Sequence, residues 1–77
     1  MIRIWGLTHR GVAIGKNPSN PQDADHRVIH FLYNNNNTAT QDTICQYCFG
    51  GDMIACNMTL KKLHQARVIA PDIGNEL

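Results

Sequence analysis

The residues best equipped for chemistry are three cysteines and a histidine, Cys45, Cys48, Cys56 and His64, spaced C-x2-C-x7-C-x7-H. Three thiolates and an imidazole make a lawful tetrahedral zinc set, and a closed zinc site would stabilise so small a chain. Packing competes with that chemistry. A free cysteine behaves as a small apolar side chain, and all three fall where a helical pattern wants burial. His64 lies ~80° around its helix from Cys56, toward the core edge, so direction alone leaves the metal set open. Zinc modules normally carry C-x-x-C on a tight turn, whereas Cys45-Gln46-Tyr47-Cys48 reads as helix, so core packing is the preferred reading. Thioredoxin-like chemistry at Cys45 and Cys48 needs a preceding strand in a βαβ unit, which the pattern lacks. His26 and His30 share one helix face at i, i+4, where a surface pair is more often incidental than a ligand set. No Ser-His-Asp set, carboxylate pair or glycine-rich phosphate loop stands out, so neither an enzyme nor a cofactor is expected.

The second kind of chemistry is charge. Seven Lys and Arg stand against six Asp and Glu, a formal net charge of +1 that decides nothing by itself. The distribution says more. Asp23, Asp25, Asp42 and Asp52 precede Met53, whereas Met53 to Pro71 holds Lys61, Lys62 and Arg67 and no acid. A basic, acid-free helix suits a polyanion, although lysines on an exposed helix are often only solvated surface.

The stretch Thr38 to Ile69 must position these groups. It reads as two helices around Phe49-Gly50-Gly51-Asp52. Thr40 suits the N-cap of a helix over 41–48, burying Ile44, Cys45 and Cys48. Asp52 suits the N-cap of a helix over 53–66, with Cys56, Leu60 and Leu63 on one face at i, i+4, i+7. Upstream, Asn20, Pro21 and Asp23 start a helix over 21–34, with Ala24, Val28, Phe31 and Leu32 as its apolar stripe and Ile29 and Tyr33 beside it. The tract 34–37, all asparagine, ends it, and Thr38-Ala39 forms a short extended bridge. Residues 2–14 read as a β-hairpin, with Ile2-Arg3-Ile4-Trp5 as one strand and Val12-Ala13-Ile14 as its return. Val68-Ile69-Ala70 is a candidate last strand.

Three helices, the last two short and tightly joined, suggest a helix-turn-helix. Over residues 24–70 the chain resembles the winged-helix and helix-turn-helix DNA-binding superfamily. Such regulators read, from their second helix, Ile-Ala, an apolar residue, Gly, a polar turn, then Val, Leu, Leu at four- and three-residue steps, closing on Gly-Leu-Ile. Ile44-Cys45 stands at the opening pair, Cys48 or Phe49 before Gly50, and Cys56, Leu60 and Leu63 at the three core positions. Arg67-Val68-Ile69 takes the closing triplet. Gly50-Gly51 adds a residue to the turn, and nothing after Ile69 suffices for the usual C-terminal wing. Leu7-Thr8-x-x-Gly11 is similar to a phrase found near that wing, although here it precedes the helices.

The resemblance implies a mainly α domain with a small β part: a winged-helix-like helix-turn-helix spanning 1–77 with an N-terminal β-hairpin. It implies sequence-specific binding of double-stranded DNA by a small transcriptional regulator, as a homodimer. Asn57, Lys61 and Gln65 would face base edges. Lys62, Arg67 and Arg27 would hold phosphates, and Thr40 and Gln41 would present a backbone amide to one. Ile54 and Met58 share the outer face and, with Trp5, form the alternative, a protein-interaction patch. A zinc-stabilised domain is the third reading. No apolar run approaches the ~20 residues of a membrane span. The first residues lack a signal peptide's apolar region, and an odd cysteine count is a poor disulfide framework, so a cytoplasmic location is expected.

Overall fold

The structure is a computed structural model and describes residues 3–16 and 23–71. Its elements, in order, are β1 (Ile4–Leu7), α1 (His9–Lys16), α2 (Ala24–Tyr33), β2 (Thr38–Thr40), α3 (Gln41–Phe49), α4 (Met53–Gln65) and β3 (Ile69–Pro71). Four helices thus cover a small antiparallel sheet in the order β2-β1-β3.

Both helices of the central unit lie within a residue of their expected bounds, because local groups start and stop them. The Thr40 hydroxyl accepts the Thr43 N–H, and an Asp52 carboxylate oxygen accepts that of Ala55. Between them Gly50 closes α3 at φ +60° and Gly51 follows at φ +93°, conformations that cost a residue with a Cβ. Asn36 and Asn37 also take positive φ, as the asparagine tract suggests.

The helix expected over 21–34 is α2, and it starts later, at Ala24. Asp23, extended at φ −74° and ψ 131°, is the N-cap and accepts the Asp25 N–H. The proposed Asn20 cap and Pro21 lie outside the described residues.

The hairpin over 2–14 does not form. After Leu7 the chain turns into α1, because Thr8 supplies a cap: its hydroxyl oxygen accepts the Gly11 N–H. Val12 and Ile14 become partly buried positions of a helix packed on the core. β1 instead pairs with strands distant in sequence, Ile4 opposite Thr40 and Leu7 opposite Ile69. The phrase Leu7-Thr8-x-x-Gly11 acquires a physical meaning here. Thr8 donates its hydroxyl to the Arg67 carbonyl at 2.6 Å and its amide to that of Val68 at 3.0 Å. Gly11 lets α1 approach that corner, since a Cβ there would fall on the Val68 carbonyl oxygen and within 2.8 Å of Leu7 Cδ2. The N-terminal strand and α1 are therefore pinned to the exit of α4.

Leu32, Ile44, Leu60 and Ile69, one each from α2, α3, α4 and β3, are the bulkiest of the fully enclosed side chains. Cys45 and Cys56 are joined by a disulfide between α3 and α4, with Cα atoms 5.4 Å apart. An odd cysteine count therefore does not forbid a bridge; Cys48 is simply left as the free, buried thiol. Among the described residues no helix is long and apolar enough to cross a membrane.

Candidate nucleic-acid interface

The packing of α4 fixes what it shows outward. Cys56, Leu60 and Leu63 are buried, so Asn57, Lys61, Gln65, Ile54 and Met58 are exposed. The flank of α4 nearest β1 and the start of α3 frames a cleft of about 260 Å³, lined by Arg3, Trp5, Gln41, Asn57, Leu60, Lys61 and His64. Leu60 and Trp5 are buried and form its apolar floor. The rest of the lining is polar or basic, with no carboxylate among the described residues.

Three side chains in the cleft form a chain. The Trp5 indole N–H donates to Gln41 Oε1 at 3.0 Å, and Gln41 Nε2 donates to Asn57 Oδ1 at 2.8 Å. The Arg3 guanidinium stands 5.9 Å from the Trp5 ring centroid, within cation–π range. The His64 ring meets Trp5 edge-on, with centroids 5.6 Å apart.

The two neighbouring lysines of α4 have different fates. Lys62 Nζ lies 2.8 Å from an Asp25 carboxylate oxygen on α2, and that hydrogen bond, with the charge behind it, pushes the Lys62 pKa up. The Lys62 charge is thus engaged by Asp25, although its side chain remains 69% exposed. Lys61 has no carboxylate partner among the described residues. Arg27, also exposed, donates from Nη1 to the Cys48 carbonyl at 3.0 Å and so ties α2 to the end of α3.

Of the amides expected of Thr40 and Gln41, that of Gln41 is spent. The Gln41 N–H donates to the Arg3 carbonyl at 2.8 Å, and the Thr40 side chain caps α3. Gln41 contributes through its side chain instead. Gln65 and Arg67 are exposed, with Arg67 at φ +62° just past α4. Trp5 leaves the protein-interaction set: it is 5% exposed and lies under the cleft, whereas Ile54 and Met58 stand out at 75% and 69%.

The zinc set is not assembled. Cys45 and Cys56 are bonded to each other, and no group of three or more candidate ligands gathers among the described residues. Burial pushes the Cys48 thiol up in pKa, against a smaller opposing pull from Arg27. The neutral, unreactive form is therefore favoured.

Sequence reasoning missed Arg3, and it weighed His64 only as a metal ligand. Arg3 reaches the cleft only because β1 runs beside β2 and its carbonyl docks on the first residue of α3, a pairing across more than thirty residues that no local spacing signals. No protein-family model, curated protein or solved structure matches the chain.

Proposed function

We propose that the chain binds double-stranded DNA through α3 and α4, as a small transcriptional regulator. The observation that carries this reading is the division of charge on α4: among the described residues Lys61 has no carboxylate partner and lines a cleft free of carboxylates with Arg3 and Asn57, while Lys62 is paired with Asp25 of α2. A helix with exposed amide and ammonium groups, joined to its predecessor by a short glycine turn, can enter a major groove.

The finer reading of the fold is a winged helix in which β1 takes the place of the wing's return strand. The sheet order β2-β1-β3 and the clamp from Leu7-Thr8-x-x-Gly11 to the end of α4 support it. What precedes the helices in sequence then stands beyond them in space.

The test is a titration of labelled duplex at two or more salt concentrations. Binding should weaken steeply with salt, and Lys61→Ala should lower the slope of log K against log salt by about 1. Lys62→Ala should change the slope by clearly less, because that ammonium already has a carboxylate. Absence of binding at low salt, or equal effects of the two substitutions, would sink the proposal.

A second reading rests on Ile54 and Met58, large apolar side chains one turn apart on the same face. Under it α4 docks on protein, a second copy included. Met58→Glu would then abolish self-association seen in sedimentation, and Lys61→Ala would leave it intact.

A further inference from the structure

The cleft carries more information than its charge, because one member of its hydrogen-bond chain has no choice of direction. An indole nitrogen can only donate. Trp5 therefore requires Gln41 to present Oε1, as it does. Gln41 must then offer its NH2 group in the other direction, and the group it meets on Asn57 must accept. The orientation of both amides follows from the buried tryptophan. Asn57 lines the cleft, and among the described residues its Nδ2 group has no protein acceptor. The other polar groups on the rim are the Arg3 guanidinium and the Lys61 ammonium, which are donors only, and the His64 imidazole, which can donate or accept. A cleft of about 260 Å³ is small beside the roughly 300–1,000 Å³ of sites that enclose an organic ligand. It suits one compact group rich in acceptors and carrying negative charge.

We propose that the cleft between β1, α3 and α4 binds one backbone phosphodiester, with Arg3 and Lys61 supplying charge and the Trp5–Gln41 pair fixing Asn57 as a hydrogen-bond donor to it. This rests on the DNA-binding reading above and reassigns Asn57 and Lys61 from base edges to the backbone. Bidentate recognition of adenine needs an asparagine that donates with its nitrogen and accepts with its oxygen. Oδ1 of Asn57 is engaged by Gln41, so Asn57 positions the backbone rather than reading a base. Gln41 and Trp5 are positioning residues: they act through Asn57.

Asn57→Asp separates this role from a merely structural one. The carboxylate still accepts from Gln41 Nε2, so the chain of bonds survives, but its outward face becomes acceptor-only and repels phosphate. Ala13→Asp, exposed on α1, adds the same charge elsewhere. Three proteins, wild type and these two variants, are titrated with one duplex at fixed low salt. In parallel, the Asn57 side-chain amide resonances of the wild type are followed as that duplex, or inorganic phosphate alone, is added. The expected result is a loss of at least about tenfold in affinity for Asn57→Asp against less than about threefold for Ala13→Asp, with the Asn57 amide shifting on addition of duplex. Gln41→Glu, which accepts from Trp5 but cannot donate to Asn57, should weaken binding comparably.

Wild-type binding with equal losses in Asn57→Asp and Ala13→Asp would overturn the donor role while leaving DNA binding standing. Absence of wild-type binding at low salt would overturn both. A shift of the Asn57 amide with inorganic phosphate but not with duplex would show an anion site that is not a phosphodiester site, and so would also overturn the proposal.

Discussion

Reducing the Cys45–Cys56 disulfide should cost this protein a large part of its stability. The bridge closes a loop of sequence separation 11 between α3 and α4. Loop closure in the unfolded chain, 2.1 + 1.5R ln n in cal/mol/K, then corresponds to about 3 kcal/mol at 25 °C. Both half-cystines are buried, so the freed thiols stay in the same packed positions and little cavity energy enters. A chain of 77 residues has a total stability of roughly 4–12 kcal/mol at the usual 0.05–0.15 kcal/mol per residue. Each kcal/mol is worth about 4–8 °C in a domain this size, so the melting temperature should fall by roughly 12–24 °C.

The assay is a pair of thermal melts followed by circular dichroism, one of oxidised protein and one with a phosphine reductant present throughout. Thiol titration of the oxidised protein in denaturant gives the companion number, one free thiol, from Cys48. Three reactive thiols after mild oxidation would refute the pairing. Coincident melts of verified oxidised and reduced protein would refute the energetic argument. Because neither sulfur is exposed, reduction of the native protein should also be slow and should accelerate in urea, where local opening is more frequent.

Two further outcomes follow from single contacts. Gly11→Ala should lower stability by about 1–3 kcal/mol or more, because the new methyl meets the Val68 carbonyl oxygen, a backbone atom that cannot swing aside; a urea midpoint like that of the wild type would show that α1 does not lie against that corner. Burial raises the Cys48 pKa above its ordinary 9.0, so the fold holds that proton more tightly than the unfolded chain does. The corresponding stability is fully present below about pH 9 and is lost as pH rises through the folded-state value, and Cys48→Ala should flatten this alkaline decline in urea midpoints measured from pH 7 to 10.5.

What was legible in the sequence was local. Thr40 and Asp52 cap the helices they precede, and the i, i+4, i+7 spacing of Cys56, Leu60 and Leu63 gives the buried face of α4, because these interactions close within a few residues. The sheet was not legible in this way. Its strands are three or four residues long, too short for a periodic pattern, and β1 finds its partners around residues 38–40 and 69–71. Val12-Ala13-Ile14 therefore read as a return strand, although Thr8 was available as a cap and Gly11 and Gly15 fitted a closely packed helix. The sorting of cations was hidden for a similar reason. Lys61 and Lys62 are adjacent in sequence, but ~100° of helical rotation sends one toward β1 and the other toward Asp25 of α2. Cysteine parity misled because it counts thiols without asking which are within bridging distance.

The apolar pair Ile54 and Met58 is the feature of α4 that least resembles a DNA-reading surface, yet its place on the helix reconciles it with one. Taken at ~100° per residue, His64, Asn57 and Lys61 fall on the flank facing β1, Lys62 falls on the opposite flank, and Ile54, Gln65 and Met58 form the crest between them. A helix seated in a major groove by phosphate contacts on one flank would press its crest, not that flank, against the base edges. Apolar side chains there have one partner in the groove, the thymine C5-methyl, while Gln65 can pair with an adenine edge. A crest of this composition should prefer A·T-rich sites. The decisive perturbation alters the DNA rather than the protein: replacing thymine by uracil at the contacted steps removes only the methyl and leaves charge and base pairing unchanged. Affinity should fall at low and high salt alike, and Met58→Ala should remove most of the difference between the thymine and uracil duplexes. If the two duplexes bind wild type equally while Lys61→Ala still weakens both, the crest does not face bases, and Ile54 and Met58 are left for a protein partner.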